Sequence, residues 1–287
     1  MSMLLKVENL TYTYMKGTPY EKKALDNVSL EIQEGEFVGI IGHTGCGKST
    51  LVQHFNGLLK PESGNIYING ECINNSNIKR LRGQVGFVFQ YPEHQLFEST
   101  VYKDIAFGIK NYKLPREEEQ MRVVKAAEAV GLDVSLLDNS IYELSGGQKR
   151  RAAIAGVLVM NPKILVMDEP AAGLDPIGRD EILNYAKKLC DEYKITIVLV
   201  SHSMEDVARY ANKVIVMNDS RIEMIGTPAE VFAEGDRLKE IGLDVPQISI
   251  LFKKLAEKYP EYEINKDIFT VQEAKEELIR ILGGGHK

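Results

Sequence analysis

At 287 residues the chain has room for one or two domains, and a formal net charge of -6 argues against a general polyanion binder, although a local basic patch stays compatible with that balance. Its 44% hydrophobic and 26% charged residues are ordinary for a globular protein, and no apolar run approaches the ~20 residues that span a bilayer. Cys46, Cys72 and Cys190 are widely spaced and form neither a disulfide framework nor a metal-ligand pattern, which fits a reducing compartment. The first residues, Met1 to Lys6, lack the apolar core of a signal peptide, so any membrane role is expected to come through partners.

Residues 4–41 read as strands and turns. Leu5–Leu10 and Val28–Ile32 alternate apolar and polar side chains before the Glu34-Gly35 turn. In Thr11-Tyr12-Thr13-Tyr14 the two tyrosines would share one strand face. They are either half-buried sheet residues or a platform on which a nucleobase ring stacks.

Gly42-His43-Thr44-Gly45-Cys46-Gly47-Lys48-Ser49-Thr50 follows the apolar run Phe37–Ile41 and precedes a helical stretch from Ser49 to Leu59, its fading end marked by Gly57 and Pro61. Gly42, Gly47, Lys48 and Ser49 fit the phosphate-loop pattern, in which main-chain N–H groups wrap an anion that side chains would keep at a distance. The whole loop from Gly42 to Thr50 is therefore expected to bind nucleotide. Lys48 would reach the β- and γ-phosphates, Ser49 would coordinate Mg²⁺, and the helix start adds roughly +0.5 charge. Cys46 is either a small residue that fits the loop or a thiol activated by that positive potential.

Pro61–Gly64 is a turn, Asn65–Gly70 alternates as a strand, and Val85–Phe89 is a buried-strand run ending at Gln90. From Pro92 to about Asn161 the pattern turns helical. Arg116–Val130 starts after Pro115, gathers acids in its first turn and stops at Gly131. In Leu144-Ser145-Gly146-Gly147-Gln148-Lys149-Arg150, Ser145 and Gln148 have capping-box spacing and open a helix whose Ile154, Val157 and Leu158 share a face. Two glycines in its first turn each cost up to ~1 kcal/mol of helix propensity. They are better explained by another phosphate approaching the exposed N–H groups.

Ile164–Met167 is continuously apolar, as in a parallel strand covered on both faces, and ends in Asp168-Glu169. Asp175 and Pro176 cap and open a helix. Ile195–Val200 ends at Ser201-His202, and Val214–Met217 and Arg221–Ile225 flank a hairpin turn. Four apolar strands thus lead into Gly42, Gln90, Asp168-Glu169 and His202, and open parallel sheets gather ligands at such carboxyl ends. A lone histidine after a strand is usually a surface or cap residue. In this company it reads as functional.

The chemistry follows from those groups. Asp168 would hold Mg²⁺ as the acidic partner of Ser49, and Glu169 would orient and polarise an attacking water. Gln90 would contact both, His202 would donate to the γ-phosphate, and Lys48 would carry positive charge to it. These parts together describe hydrolysis by positioning and charge stabilisation.

In this order and spacing, over roughly residues 4–225, the chain resembles the ATPase subunits of ATP-binding-cassette (ABC) transporters. The resemblance implies an α/β P-loop NTPase with a RecA-like core, an antiparallel β-subdomain and a helical signature subdomain near residues 92–160. The cassette would occupy residues 1–225, with a small C-terminal helical extension at 226–287. Tyr14 matches the family's adenine-stacking aromatic, and Asp175 falls among its nucleotide-binding positions. Two ATPase subunits would pack head to tail, each ATP lying between one phosphate loop and the partner's Ser145, Gly146, Gly147 and Gln148. Pro92–Phe97, Asp104–Gly108 and Ile241–Gln247 are similar to the energy-coupling-factor (ECF) importer ATPases of cobalt and vitamin type. Gln95-Leu96-Phe97-Glu98 resembles the A-prime member of a heterodimeric pair.

That narrower likeness implies ATP and Mg²⁺ as ligands, and a second ATPase and a transmembrane T-component as direct partners. A substrate-binding S-component would join indirectly, with no nucleic acid, at the cytoplasmic face of the cell membrane. Uptake of a vitamin or transition metal would be the work driven. In the tail, Ile248, Leu251, Phe252 and Leu255 form a stripe, and Thr270 and Glu273 cap a helix stopped by Gly283. This tail either packs on its own core or contacts the second ATPase. Competing readings are a soluble cassette ATPase acting on ribosomes or DNA, the ATPase of another ABC transporter type, and a small-molecule kinase. Only one phosphate loop is present, long insertions and zinc sites are absent, and a kinase would leave the signature and Glu169 without roles.

Overall fold

The computed structural model describes residues 2–74 and 76–283. The chain begins with strands β1 (Met3–Tyr14), β2 (Lys22–Gln33) and β3 (Phe37–Ile41), followed by helix α1 (Lys48–Phe55). Strands β4 (Ser63–Ile68) and β5 (Glu71–Cys72), helix α2 (Ile78–Arg82) and strand β6 (Val85–Val88) come next. A helical segment holds α3 (Val101–Phe107), α4 (Arg116–Ala129) and α5 (Gly146–Leu158). An alternation then runs β7 (Ile164–Asp168), α6 (Pro176–Asp191), β8 (Thr196–Val200), α7 (Met204–Tyr210), β9 (Lys213–Asn218) and β10 (Arg221–Gly226). The last described helices are α8 (Pro228–Ala233), α9 (Gly235–Glu240), α10 (Gln247–Lys258) and α11 (Val271–Gly283).

One sheet is antiparallel, in the order β2-β1-β4-β5; the other runs β10-β9-β3-β8-β7-β6 and is parallel except where β10 returns along β9. Every residue of β3, β6, β7 and β8 is buried, because both faces of the parallel sheet are covered. Alternate side chains divide between the two sides. Leu165, Met167, Ile197 and Leu199 pack with Ala127, Ile154 and Leu183 from α4, α5 and α6. Ile164, Val166, Val198 and Val200 share a cluster with Leu51, Val52 and Phe55 of α1 and with Leu5, Leu25 and Ile66 of the antiparallel sheet. Helix α1 is therefore held between two sheets, each buried apolar side chain contributing roughly 1.5–3 kcal/mol.

Two elements differ from expectation. Helix α1 ends at Phe55 rather than Leu59, because Gly57 takes a left-handed turn with φ 68°. Its N–H donates to the His54 carbonyl at 3.1 Å and that of Leu58 to the Gln53 carbonyl at 3.0 Å, the paired bonds of a Schellman stop. The strand expected over Asn65–Gly70 lies instead at Ser63–Ile68. Asn69 and Gly70, at φ 50° and 77°, form the tight turn into β5 that two left-handed residues favour.

The first part of the tail packs on the core sheet: Phe232, Leu238, Leu243, Val245 and Phe269 cluster with Ile41, Val207, Val214 and Val216. The stripe expected on α10 is only partly buried. Phe252 lies inside, whereas Leu251 is 48% exposed. The Ser249 hydroxyl donates to the buried Ile268 carbonyl at 2.7 Å, which turns Ser249, Phe252 and Ala256 inward instead. Thr270 and Glu273 cap α11 reciprocally. Gly283 is the last described residue, so the expected stop lies at the edge of what is described.

Candidate functional site

Strands β3, β7 and β8 are parallel neighbours, so the loops leaving their carboxyl ends meet. There a cavity of about 250 Å³ is lined by Tyr14, Thr44, Gly45, Gly47, Lys48, Ser49, Thr50, Glu169 and His202, with Lys22 and Ala24 from β2. The loop before α1 could not be made with other residues. A Cβ on Gly47, at φ 108°, would stand 2.3 Å from the Ala24 carbonyl oxygen, and one on Gly42, at φ 156°, would stand 2.4 Å from that of Met217.

Lys48 is only 6% exposed, and its Nζ donates to the carbonyl oxygens of Gly42 at 2.6 Å and His43 at 3.0 Å. The ammonium fixes the wrapped shape of the loop from inside. Cys46 also turns inward, and burial pushes its thiol up, against the opposing pull of the nearby Lys48 charge. Of the two readings this favours the small residue that fits the loop over the activated thiol, since desolvation outweighs the positive potential. The His43 ring likewise leaves the cavity, with Nδ1 3.0 Å from the Thr44 carbonyl oxygen and Nε2 3.7 Å from Asp219. Only its main chain remains with the loop.

Asp168 closes β7 in a buried position, and burial pushes its carboxyl above the usual range. The Ser49 hydroxyl donating to it pulls the other way, and the Glu169 charge pushes it up again. Glu169 sits at φ 52°, a left-handed conformation that costs about 1–3 kcal/mol in a residue with a side chain. Its N–H donates to the Val200 carbonyl at 3.0 Å, which ties the turn to β8. Its Oε1 lies 2.6 Å from His202 Nε2, and its Oε2 accepts from Gln90 Nε2 at 3.4 Å. Loops after β6, β7 and β8 thus converge on one carboxylate.

The raised Asp168 carboxyl has a consequence for stability. Its contribution is full below the unfolded-state pKa and is lost as pH rises through the higher folded-state value, so at neutral pH the buried charge is a cost. Asp168→Asn is expected to raise the Tm of the nucleotide-free protein at pH 7, each 1 kcal/mol being worth about 2–4 °C in a chain near this size. The gain should vanish at about pH 4, where the unfolded-state carboxyl titrates. Scanning calorimetry at both pH values checks this; a lower Tm at pH 7 contradicts it.

Tyr14 stays 38% exposed at the cavity rim, its hydroxyl 3.2 Å from Thr50 Oγ1 and its ring edge-to-face with Tyr12 at 4.9 Å. The remaining expected residues do not reach this cavity. Asp175 caps α6, accepting from the Gly178 N–H at 2.7 Å. Ser145 and Gln148 form their capping box, with bonds of 2.8 and 3.3 Å at the start of α5. A Cβ added at Gly146 or Gly147 would meet nothing within 4 Å. Among the described residues none requires glycine there.

Several residues were not singled out by the sequence pattern. Lys22 brings a second ammonium to the cavity, 3.6 Å from the Cβ position of Gly45. Arg179 of α6 pairs with Asp206 at 2.9 and 3.0 Å and reaches Ser203, anchoring the loop that carries His202. Arg150 is buried in α5 against Glu93. An arginine four residues beyond Asp175 was the available signal for Arg179, whereas Arg150 sits in a basic run, Lys149-Arg150-Arg151, that gives no sign of its burial.

An anion cradle at a helix start, paired acids ending a parallel strand, and a glutamine and histidine meeting on one of those acids define a P-loop nucleoside-triphosphatase. The chain belongs to the ABC transporter family, whose pattern matches residues 25–172. It is 61% identical over 280 residues to the energy-coupling factor transporter ATP-binding protein EcfA2 of Acetivibrio thermocellus, covering 98% of this chain and 99% of that relative. Among solved structures it is similar to cbiO1 of Clostridium perfringens, part of the ABC transporter complex cbiONQ, with 43% identity and a TM-score of 0.75 over 88% of this chain and 100% of that one. A second similar structure is the dimeric post-hydrolysis state of the cassette MJ0796 bound to ADP and Pi, with 31% identity and a TM-score of 0.69 over 78% of this chain and 99% of that one. The fold is that of an ABC ATPase, an enzyme class that binds and hydrolyses ATP.

Proposed function

We propose that this chain is the ATP-hydrolysing subunit of an ECF-type importer, pairing head to tail with a second ATPase and driving a transmembrane T-component. The observation that carries the pairing is the open space around Gly146 and Gly147. Two glycines that cost helix propensity and crowd against nothing among the described residues fit a phosphate brought by another subunit. Ser145, Gly146, Gly147 and Gln148 would thus complete the partner's ATP site, with Asp175 near the shared boundary.

Mg²⁺ suits the donors present. The Asp168 carboxylate, Ser49 hydroxyl and Gln90 amide oxygen are hard oxygen ligands, and among the described residues no group of three or more His, Cys, Asp or Glu side chains forms a metal cage. An ion that keeps waters and phosphate oxygens as its other ligands needs no such cage. Bound there, Mg²⁺ would offset the negative charge of the phosphates.

The protein's own groups divide the remaining work. Lys48 would redirect donors from the Gly42 and His43 carbonyls to the terminal phosphates, and Tyr14 would stack on the adenine. Each oxygen of Glu169 already accepts one hydrogen bond, from His202 or from Gln90, and these compete with a water for the carboxylate. A γ-phosphate that drew the His202 donor away would leave Oε1 freer to accept from water, so filling the site would favour the acid's action.

Among the described residues no helix is long and apolar enough to cross a membrane, so attachment to its cytoplasmic face would come through the T-component. Residues 1–225 form the proposed cassette. The outer faces of α10 and α11 expose Leu251, Leu278 and Ile279, suited to a contact with the second ATPase. Purification from detergent-solubilised membranes should return a T-component and a second ATPase; recovery with ribosomes or DNA would overturn the reading. In that complex Ser145→Arg should spare ATP binding, block ATP-dependent pairing and lower turnover roughly 10²-fold, the worth of one lost oxyanion donor.

A further inference from the structure

Arg150 follows Gln148 by two residues on α5, yet it is 2% exposed. A buried guanidinium must satisfy five N–H donors. Its Nε and Nη2 donate to the two oxygens of Glu93 at 2.8 and 2.7 Å. Its Nη1 donates to the Pro170 carbonyl at 3.0 Å, and Nη1 and Nη2 both donate to the Ala172 carbonyl at 3.3 and 3.2 Å. Every donor is used.

The three segments it joins are functionally distinct. Glu93 lies three residues beyond Gln90, Pro170 follows Glu169 directly, and α5 begins at the signature Ser145–Gln148. One side chain thus links a helix start that does not line this chain's cavity to the loops carrying Glu169, which does, and Gln90, which donates to it. A buried ion pair is a weak source of stability, because desolvation offsets its attraction. What this one supplies is geometry, and Arg fits it where Lys cannot, since a single ammonium has no planar fork.

We infer that Arg150 is a positioning residue coupling the two nucleotide sites: a partner's ATP engaging the start of α5 sets the placement of Glu169 and Gln90 in this chain's own site. The inference rests on the proposed head-to-tail pairing. Pulling α5 toward the partner's phosphates moves Arg150, and Glu93 and the Pro170–Ala172 carbonyls move with it. Each site would then reach its hydrolytic geometry only when the other is filled.

The test uses the assembled transporter with Arg150→Lys and Glu93→Gln. Glu93→Gln leaves α5 itself unchanged and keeps one acceptor oxygen for Arg150, so it reports on the link independently of the first variant. Both should keep the KM for ATP and ATP-dependent pairing within about twofold, while kcat falls about 10²-fold, the cost of a small misplacement of reacting groups. Cooperativity in ATP should be lost with it. Unchanged kcat and cooperativity in a variant that still pairs overturns the coupling. So does a parallel loss of pairing, KM and kcat together with a lower Tm, the signature of a merely structural clamp. The pairing is tested separately by Ser145→Arg; if ATP-dependent pairing survives that change, the head-to-tail reading itself fails and takes the inference with it.

Discussion

Glu169→Gln is expected to leave ATP binding intact while lowering turnover by about 10²–10⁴-fold, the usual worth of a positioned acid or base. The side chains are matched in size, and glutamine still offers an oxygen to His202 Nε2 and a place beside Gln90. The left-handed backbone at φ 52° is as costly for one as for the other. What disappears is the carboxylate proposed to accept from water. The variant should therefore accumulate as an ATP-bound pair, because in the proposed cycle hydrolysis is the step that releases it. Phosphate release by the assembled complex, with pairing followed by light scattering, measures both effects. Near-normal steady-state hydrolysis would remove Glu169 from its proposed role.

Much of this site was legible because its signals are local. The phosphate loop combines glycines at fixed offsets with a buried strand and a helix, and one short segment carries all of them. The strand ends were legible for a similar reason: continuous apolar runs such as Ile164–Met167 require cover on both faces, which places their carboxyl ends together. For Cys46 two readings stayed open, because burial, which competes with the positive potential, depends on how closely Met217 approaches the loop at Gly42. The Asn69-Gly70 turn was written in the sequence, yet the alternation before it ran on through Asn69 and masked the break.

Arg150 lay beyond reach of any local pattern. Its ion-pair partner is 57 residues away and its carbonyl acceptors 20 and 22 residues away, so only the packed helical segment brings them together. The Arg179–Asp206 link spans 27 residues in the same manner. Gly146 and Gly147 are the converse case. The sequence pointed to a phosphate there, and among the described residues no atom lies within 4 Å of a Cβ added at either, which fits the proposed use by another subunit.

Lys48→Ala should weaken ATP binding by about 10–10²-fold, from the 1.5–3 kcal/mol that hydrogen bonds to a charged group contribute. The fold should tolerate the change. Lys48 is a buried ammonium whose partners within the loop are two carbonyl oxygens and, at 4.0 Å, Cys46 Sγ, so deletion removes a desolvated charge along with these bonds. The opposing terms keep the loss of Tm small, whereas no other group replaces its charge among the loop N–H donors. Lys22 reaches the cavity from β2, on the antiparallel sheet, and stands near Gly45 rather than at the base of the loop. Titration with ATP and a melting curve on the same preparation separate the two effects. Unchanged affinity would show that the main-chain N–H groups hold the phosphates without the lysine, and a Tm loss as large as the affinity loss would place its chief contribution in folding the loop.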